Sequence, residues 1–104
     1  MSNAPRYHGA LMIRTFADHE TEKVWKRLPV RRWGTEVQRT AYRKLLMIDA
    51  ADTLADLSVP PGNRLEKLAG DRAGQYSIRV NDQWRICFYW RHSHADEVEI
   101  TDYH

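Results

Sequence analysis

Two arginines, Arg79 and Arg85, are placed to bind an anion. In residues 75–90 (QYSIRVNDQWRICFYW), apolar residues alternate with other residues on each side of an Asn-Asp-Gln segment. This pattern predicts two β-strands joined by a turn, with alternate side chains on opposite faces of the sheet. Both arginines fall on the face opposite the apolar residues. They form either a phosphate-binding site or an ordinary solvated sheet face.

The last three residues, Asp102, Tyr103 and His104, carry further reactive groups. A predicted strand over residues 97–101 runs directly into them, which can hold their side chains at the sheet edge. With the two arginines nearby, they supply the parts needed for metal-free RNA cleavage. A base takes the proton of a ribose 2′-hydroxyl, arginine stabilises the charged phosphoryl group, and an acid protonates the leaving 5′-oxygen. The alternative is a tail that is merely ordered and aromatic.

Other candidate sites are weaker. Cys87 lies within a predicted strand without a catalytic signature around it, so we interpret it as a structural thiol. His92, His94 and Asp96 have a spacing that metal ligands can have, but no second ligand cluster completes a site. There is no glycine-rich phosphate-binding loop. We therefore predict neither a metal nor a cofactor.

The composition predicts one globular domain. Of 104 residues, 42% are hydrophobic and 29% are charged, and no apolar run has the length of a membrane span. The single cysteine is typical of the reducing cytoplasm. Residues 64–91 carry six basic and three acidic residues, whereas residues 95–104 carry four acidic and no basic ones. This asymmetry favours nucleic acid or an acidic partner.

The elements that position these residues follow from local signals. We assign residues 1–10 to a leader, native or left by cloning, and residues 11–104 to a single domain. A short strand is predicted over residues 11–16. A first helix begins at an Asp18 N-cap and ends at Pro29.

A longer second helix is predicted over residues 36–51, with Thr35 as its N-cap. A strand over residues 65–68, the arginine hairpin, a polar turn at residues 91–96 and the strand over residues 97–101 complete the chain. The fold class is α+β, with two N-terminal helices on one face of an antiparallel sheet of about four strands.

From residue 13 onward, the chain resembles the HigB-type killer toxins of the RelE/ParE superfamily, the toxin halves of bacterial type II toxin–antitoxin pairs. The matching segments run through the whole chain after the leader. They are residues 13–18 (IRTFAD), 43–45 (RKL), 60–66 (PPGNRLE), 70–72 (GDR), 74–80 (GQYSIRV), 81–88 (NDQWRICF), 98–100 (VEI) and 102–104 (DYH).

This resemblance implies a RelE-like microbial RNase fold and endonucleolytic cleavage of mRNA during translation on the ribosome, without a metal. Translation and growth then stop. The resemblance also implies a cognate HigA-like antitoxin with a helix-turn-helix, usually encoded just downstream. The toxin would contact operator DNA only through that antitoxin, in a complex that represses its own operon.

The resemblance also implies roles for individual residues. Arg85 matches the arginine that stabilises the transition state, and Asp102, Tyr103 and His104 match the C-terminal catalytic group, in which the acid and base roles of Tyr103 and His104 stay open. Arg79 is the expected phosphate contact. Three further basic residues are expected to bind RNA, namely Arg64, Lys67 and Arg72.

One departure from the family pattern concerns position 69, where members often carry a lysine and this chain has Ala69. We expect Lys67, two positions earlier on the same face of a strand, to substitute in part. Two other functions remain open at this point. One is a non-enzymatic poison of DNA gyrase, as in ParE-like relatives, and the other is a weakened module that only binds RNA or the antitoxin.

Overall fold

The computed structural model describes residues 13–102. The predictions for residues 1–10, Tyr103 and His104 therefore lie outside the described residues. The two α-helices and four β-strands have the following bounds: α1 His19–Trp25, α2 Thr35–Ala50, β1 Glu66–Lys67, β2 Gln75–Arg79, β3 Arg85–Arg91 and β4 His94–Thr101. Short 3₁₀ turns join α2 to β1 and β1 to β2.

The four strands form one antiparallel sheet in the order β1-β2-β3-β4. The β2–β3 hairpin confirms the central prediction, because Arg79 pairs directly with Arg85. Its turn is closed by the side chain of Asn81, whose Oδ1 accepts hydrogen bonds from the backbone N–H groups of Gln83 and Trp84. Asparagine suits this position because its side chain can stand in for a backbone acceptor.

The core lies between the helices and one face of this sheet. On α2, Ala41, Leu45 and Ile48 are fully buried, at a spacing that places them on one face of a helix. They share a cluster with Ile78 of β2 and Ile86 of β3, among others. The predicted α+β fold is confirmed. Within residues 13–102, no helix has the length and apolar character needed to cross a membrane.

The outer edge of β4 is covered by the chain that precedes α1. Residues 13–17 run parallel to β4 and exchange backbone hydrogen bonds with it, but they form only isolated bridges at Ile13 and Phe16. The predicted strand over residues 11–16 is therefore absent from its described part. Thr21 of α1 then supplies an acceptor, since its buried Oγ1 receives the backbone N–H of Ile100 at 3.0 Å. These contacts provide hydrogen-bond partners for backbone groups of β4 that would otherwise lie unpaired at the sheet edge.

The helix ends differ partly from the predictions. Asp18 caps α1 as predicted, because its side chain accepts the N–H of Thr21. The helix stops before Pro29, however. Arg27 adopts a left-handed conformation with φ of 63°, and the N–H of Leu28 bonds to the carbonyl of Lys23. This is a Schellman ending, which terminates the helix without proline.

The start of α2 and two strand boundaries also need correction. Gly34 is the N-cap of α2, and Thr35 is its first helical residue. The strand expected over residues 65–68 contains only Glu66–Lys67. The predicted polar turn at residues 91–96 is largely strand, because two left-handed residues, His92 and Ser93, suffice to reverse the chain.

The Thr21 contact predicts a specific effect on stability. Thr21→Val keeps the shape of the side chain but leaves the buried N–H of Ile100 without its acceptor. We expect the free energy of unfolding, measured by urea denaturation, to fall by about 1–3 kcal/mol. Thr21→Ser keeps the hydroxyl and should lose less. Equal stability of the valine and serine variants would contradict the role of the hydrogen bond.

Candidate functional site

The paired arginines line an open cleft on the sheet face that points away from the helices. The cleft has a volume of about 330 Å³ and lies beside the β2–β3 turn and the segment that leads into β1. Its walls are mostly polar or charged, and they comprise Arg64, Glu66, Arg79, Asn81, Asp82, Gln83 and Arg85. The face that carries both arginines is therefore concave, whereas its anion-binding role stays a prediction.

Arg85 is held in this cleft by a set of directional contacts. Its Nε donates to Ser77 Oγ at 2.8 Å, and its Nη2 donates to the backbone carbonyl of Arg64 at 2.7 Å. Glu66 Oε1 lies 3.7 Å from the same Nη2. Only 13% of the Arg85 side chain is exposed. Its Nη1 makes no hydrogen bond to any residue in the range 13–102, which leaves a fixed donor for an incoming anion.

The Arg64 carbonyl is itself presented by a rigid loop. Asn63 is fully buried, and its side-chain amide donates to the Leu57 carbonyl at 3.1 Å while its Oδ1 accepts from Lys44 Nζ. Arg64 follows in a left-handed conformation with φ of 46°. A buried polar anchor and an unusual backbone conformation together aim this carbonyl at Arg85.

Arg79 occupies a more exposed position than Arg85. Its guanidinium forms an ion pair with Asp82 in the hairpin turn. Lys44 of α2 is close enough to Arg79 for the two positive charges to interact. Burial, together with the charges of Arg43 and Arg79, lowers the pKa of Lys44. The side chain of Asp82 is fully exposed, so an anionic ligand can replace it at Arg79 at little cost in free energy.

Glu66 and Ser77 are the site residues that the sequence analysis did not single out. Glu66 pairs with Ser77 across β1 and β2, and both lie on the arginine face. Ser77 had a usable signal, because it alternates with Arg79 at strand spacing. Glu66 had none, since a two-residue strand has too little periodicity to show which face its side chains take.

Asp102, the described member of the C-terminal group, lies in the same region of the sheet. Thr101, the last residue of β4, pairs with Arg85, so the chain leaves the sheet beside the cleft. Asp102 follows, and its Oδ2 accepts a hydrogen bond from Gln83, a residue of the cleft wall, at 3.1 Å. Tyr103 and His104 lie outside the described residues, so their predicted roles stay predictions.

The other predicted RNA-binding residues are distributed unevenly. Arg64 lines the cleft. Arg72 lies on the arginine face but bonds to Gln75 and to Glu99, whose Oε1 is 3.2 Å from its Nη1. Lys67 pairs with Tyr76, which packs on the core, so Lys67 takes the opposite face from Arg85.

The strand register therefore does not support the expectation that Lys67 takes over the role of the lysine that family members often carry at position 69. Period-two alternation does not continue between the two positions, because β1 ends at Lys67. Ala69 is exposed and precedes the 3₁₀ turn Gly70–Arg72. Lys67 consequently cannot be placed in the cleft by strand alternation.

The thiol and the histidines give no sign of a second reactive centre. Cys87 is fully buried beneath the arginine face, and burial raises the pKa of its thiol to about 11, so it is protonated at neutral pH. His92 lies in the β3–β4 turn, and Asp96 faces Arg14 and Arg91. Across residues 13–102, no group of three or more metal-ligating side chains comes together.

Comparison with known proteins assigns the family. Residues 14–104 match the family model described as the RelE-like toxin of type II toxin-antitoxin system HigB. The chain belongs to the HigB family of RelE-like toxins. Toxin HigB-1 of Vibrio cholerae serotype O1 is 42% identical over 69 residues, which cover 66% of this chain and 68% of that protein.

A second relative and two solved structures are also similar to this chain. An uncharacterized protein of Haemophilus influenzae is 39% identical to this HigB-family toxin over 66 residues, or 64% of this chain and 65% of that protein. Two solved structures of the YoeB–YefM toxin–antitoxin complex from Staphylococcus aureus contain a similar fold. Their TM-scores are 0.58 and 0.51 at 17% and 16% identity, and each covers 88% of this chain and 97% of the other. The RelE-like fold is confirmed.

The Ser77 contact can be tested on Arg85 itself. Ser77→Ala removes the acceptor of the Arg85 Nε–H, so we expect this proton to exchange with water several-fold faster, as measured by NMR. The Arg79 Nε–H serves as the internal control, because the Arg79 guanidinium bonds to Asp82 whereas Ser77 Oγ accepts from Arg85. Unchanged exchange at Arg85 would show that Ser77 does not hold the guanidinium.

Proposed function

We propose that this HigB-family toxin is a ribosome-dependent mRNA endonuclease that needs no metal and acts in the cytoplasm. The observation that carries the proposal is Arg85, a cleft-lining guanidinium held by Ser77 and Arg64, whose Nη1 has no hydrogen bond to any residue in the range 13–102. Such a group is suited to stabilise negative charge that develops on a phosphoryl group, because it is already oriented before the substrate arrives.

The proposed reaction is attack by a ribose 2′-hydroxyl on the adjacent phosphorus. A base takes the hydroxyl proton as the bond between the 2′-oxygen and phosphorus forms. The bond between phosphorus and the 5′-oxygen then breaks, and an acid gives the leaving oxygen a proton. The products are an RNA end with a 2′,3′-cyclic phosphate and an end with a 5′-hydroxyl. Arg85 interacts with the phosphoryl oxygens throughout.

The remaining cleft residues fit this scheme. Arg79 and Arg64 line the cleft and would bind flanking phosphates, with Arg72 farther along the same face. Glu66 supplies a carboxylate next to Arg85 that can accept a proton. Asp102, Tyr103 and His104 would complete the site, because the chain leaves the sheet opposite Arg85.

We also propose that an antitoxin neutralises this protein. Support comes from the family itself and from the similar fold of YoeB, which was solved in complex with the antitoxin YefM. The expected antitoxin is HigA-like, has a helix-turn-helix, and makes the contacts to operator DNA.

The first test removes the guanidinium. In Arg85→Ala, we expect mRNA cleavage in an active translation reaction to fall by roughly 10²–10³, the loss typical for one essential donor to a developing oxyanion. The measurement maps new mRNA 5′ ends, with and without engaged ribosomes. Arg91→Ala is the matched control, because Arg91 lies at the far end of the same strand and outside the cleft.

Cleavage by Arg85→Ala at the wild-type rate would contradict the proposed role of Arg85. New 5′ ends that appear without ribosomes would contradict ribosome dependence. An absence of new ends with the wild-type protein would reject the nuclease function altogether.

A second test concerns the carboxylate beside Arg85. Glu66→Gln keeps the size of the side chain and removes its ability to take a proton. If Glu66 is the base, cleavage should fall by about 10²–10⁴. Glu97→Gln, an exposed change elsewhere on the sheet, should leave the rate unchanged. If Glu66→Gln cleaves mRNA at the wild-type rate, Glu66 is not the base, and Tyr103 or His104 would be the remaining candidates.

A further inference from the structure

The positive charge of this protein is concentrated in its helical layer. Residues 23–43 contain seven lysines and arginines and one glutamate, whereas the rest of the chain has nine basic and thirteen acidic residues. Arg32 and Lys26 have ion pairs, with Glu20 and Glu22 respectively. The other five basic side chains of this segment have no ion pair to any residue in the range 13–102. They are Lys23, Arg27, Arg31, Arg39 and Arg43.

An open groove lies within this basic surface, where the end of α1 meets the start of α2. Its volume is about 380 Å³. Apolar, polar and basic side chains line it, namely Val24, Arg27, Leu28, Pro29, Thr35, Gln38, Arg39 and Tyr42. Leu28 is 48% exposed, which is unusual for a leucine that follows a helix end, because such a residue normally packs back on the helix.

The walls of the groove are rigid. The left-handed Arg27 ends α1, and its guanidinium lies over the ring of Tyr42, 5.0 Å from the centroid. Gln38 of α2 ties down the connecting segment, because its amide bonds to both backbone groups of Val30 and to the carbonyl of Trp33 at 2.8 Å. A partner would therefore meet a surface that is already formed, which lowers the entropy cost of binding.

The groove and the catalytic cleft are separate sites. They share no lining residue. The groove belongs to the helical layer, which packs on the core face of the sheet, whereas Arg79 and Arg85 lie on the other face. A partner bound in the groove would therefore not make direct use of the residues proposed for catalysis.

We propose that this groove binds an acidic segment of the antitoxin that inserts an apolar side chain beside Leu28. The inference rests on the antitoxin partner proposed above. Arg27 and Arg39 offer planar donors that pair well with carboxylates, and Leu28 needs apolar cover. An RNA backbone would satisfy the arginines and leave the leucine exposed, so the combination favours a peptide.

Two pairs of variants test the proposal. Arg39→Glu reverses a charge at the groove, and Arg14→Glu is its control on an exposed arginine elsewhere. Leu28→Ser removes the exposed apolar side chain, and Leu46→Ser is its control on a leucine that is 42% exposed and does not line the groove. The probe is the purified antitoxin encoded next to the toxin gene, and its affinity for each full-length toxin variant is measured by calorimetry.

We expect both groove variants to lose about tenfold or more in affinity and both controls to stay near wild type. The same proteins, free of antitoxin, are assayed for mRNA cleavage during translation, where the groove variants should act as wild type. Wild-type affinity in both groove variants would overturn the proposal. A loss of cleavage in Arg39→Glu with unchanged antitoxin affinity would also overturn it, because the basic surface would then bind ribosomal RNA and not the antitoxin.

The two readouts also separate this proposal from the proposed function. If the wild-type protein cleaves mRNA and does not bind the antitoxin, the groove proposal fails and the nuclease function stands. If the groove variants lose antitoxin affinity and the wild-type protein does not cleave mRNA, the groove proposal stands and the nuclease function fails.

Discussion

The register of β2 against β3 is the constraint on which the rest of this structure depends. Arg79 and Arg85 pair directly, and the same register puts Ile78 opposite Ile86 on the core face. A slip of one residue would turn the isoleucines to solvent and the arginines into the core. Burial of the apolar face therefore fixes, at the same time, where the two guanidinium groups lie. Core packing and the chemistry of the cleft are two results of one hydrogen-bonding pattern.

The positioning of Arg85 draws on distant parts of the chain. The Ser77 hydroxyl comes from the neighbouring strand, and the Arg64 carbonyl comes from a loop anchored through the buried Asn63. Lys44 of α2 contacts that same asparagine. A largely buried guanidinium is costly unless its donors are satisfied, so these acceptors both stabilise the fold and orient the group. Among residues 13–102, Nη1 has no hydrogen-bond partner, and this donor is the one we propose for phosphate.

The two faces of the protein present different chemistry. The cleft mixes arginines with the carboxylates of Glu66 and Asp82, an arrangement suited to charge stabilisation and proton transfer. The helical layer carries several cations that have no ion pair within residues 13–102, around exposed apolar surface, an arrangement suited to recognition of an acidic protein segment. The proposed partner binding and the proposed catalysis should therefore respond to different mutations.

The sequence by itself determined the fold class, the hairpin and the common face of Arg79 and Arg85, because period-two and helical alternation are strong over long elements. The family also follows from the sequence. Alternation also places Ser77 on the arginine face. Only the tertiary structure showed that Glu66 lies beside Arg85 and that Lys67 lies on the opposite face. β1 has only two residues, so its register depends on its pairing with β2 and not on its own pattern. The groove beside Leu28 likewise depends on how α1 ends and meets α2, which is a property of packing between elements.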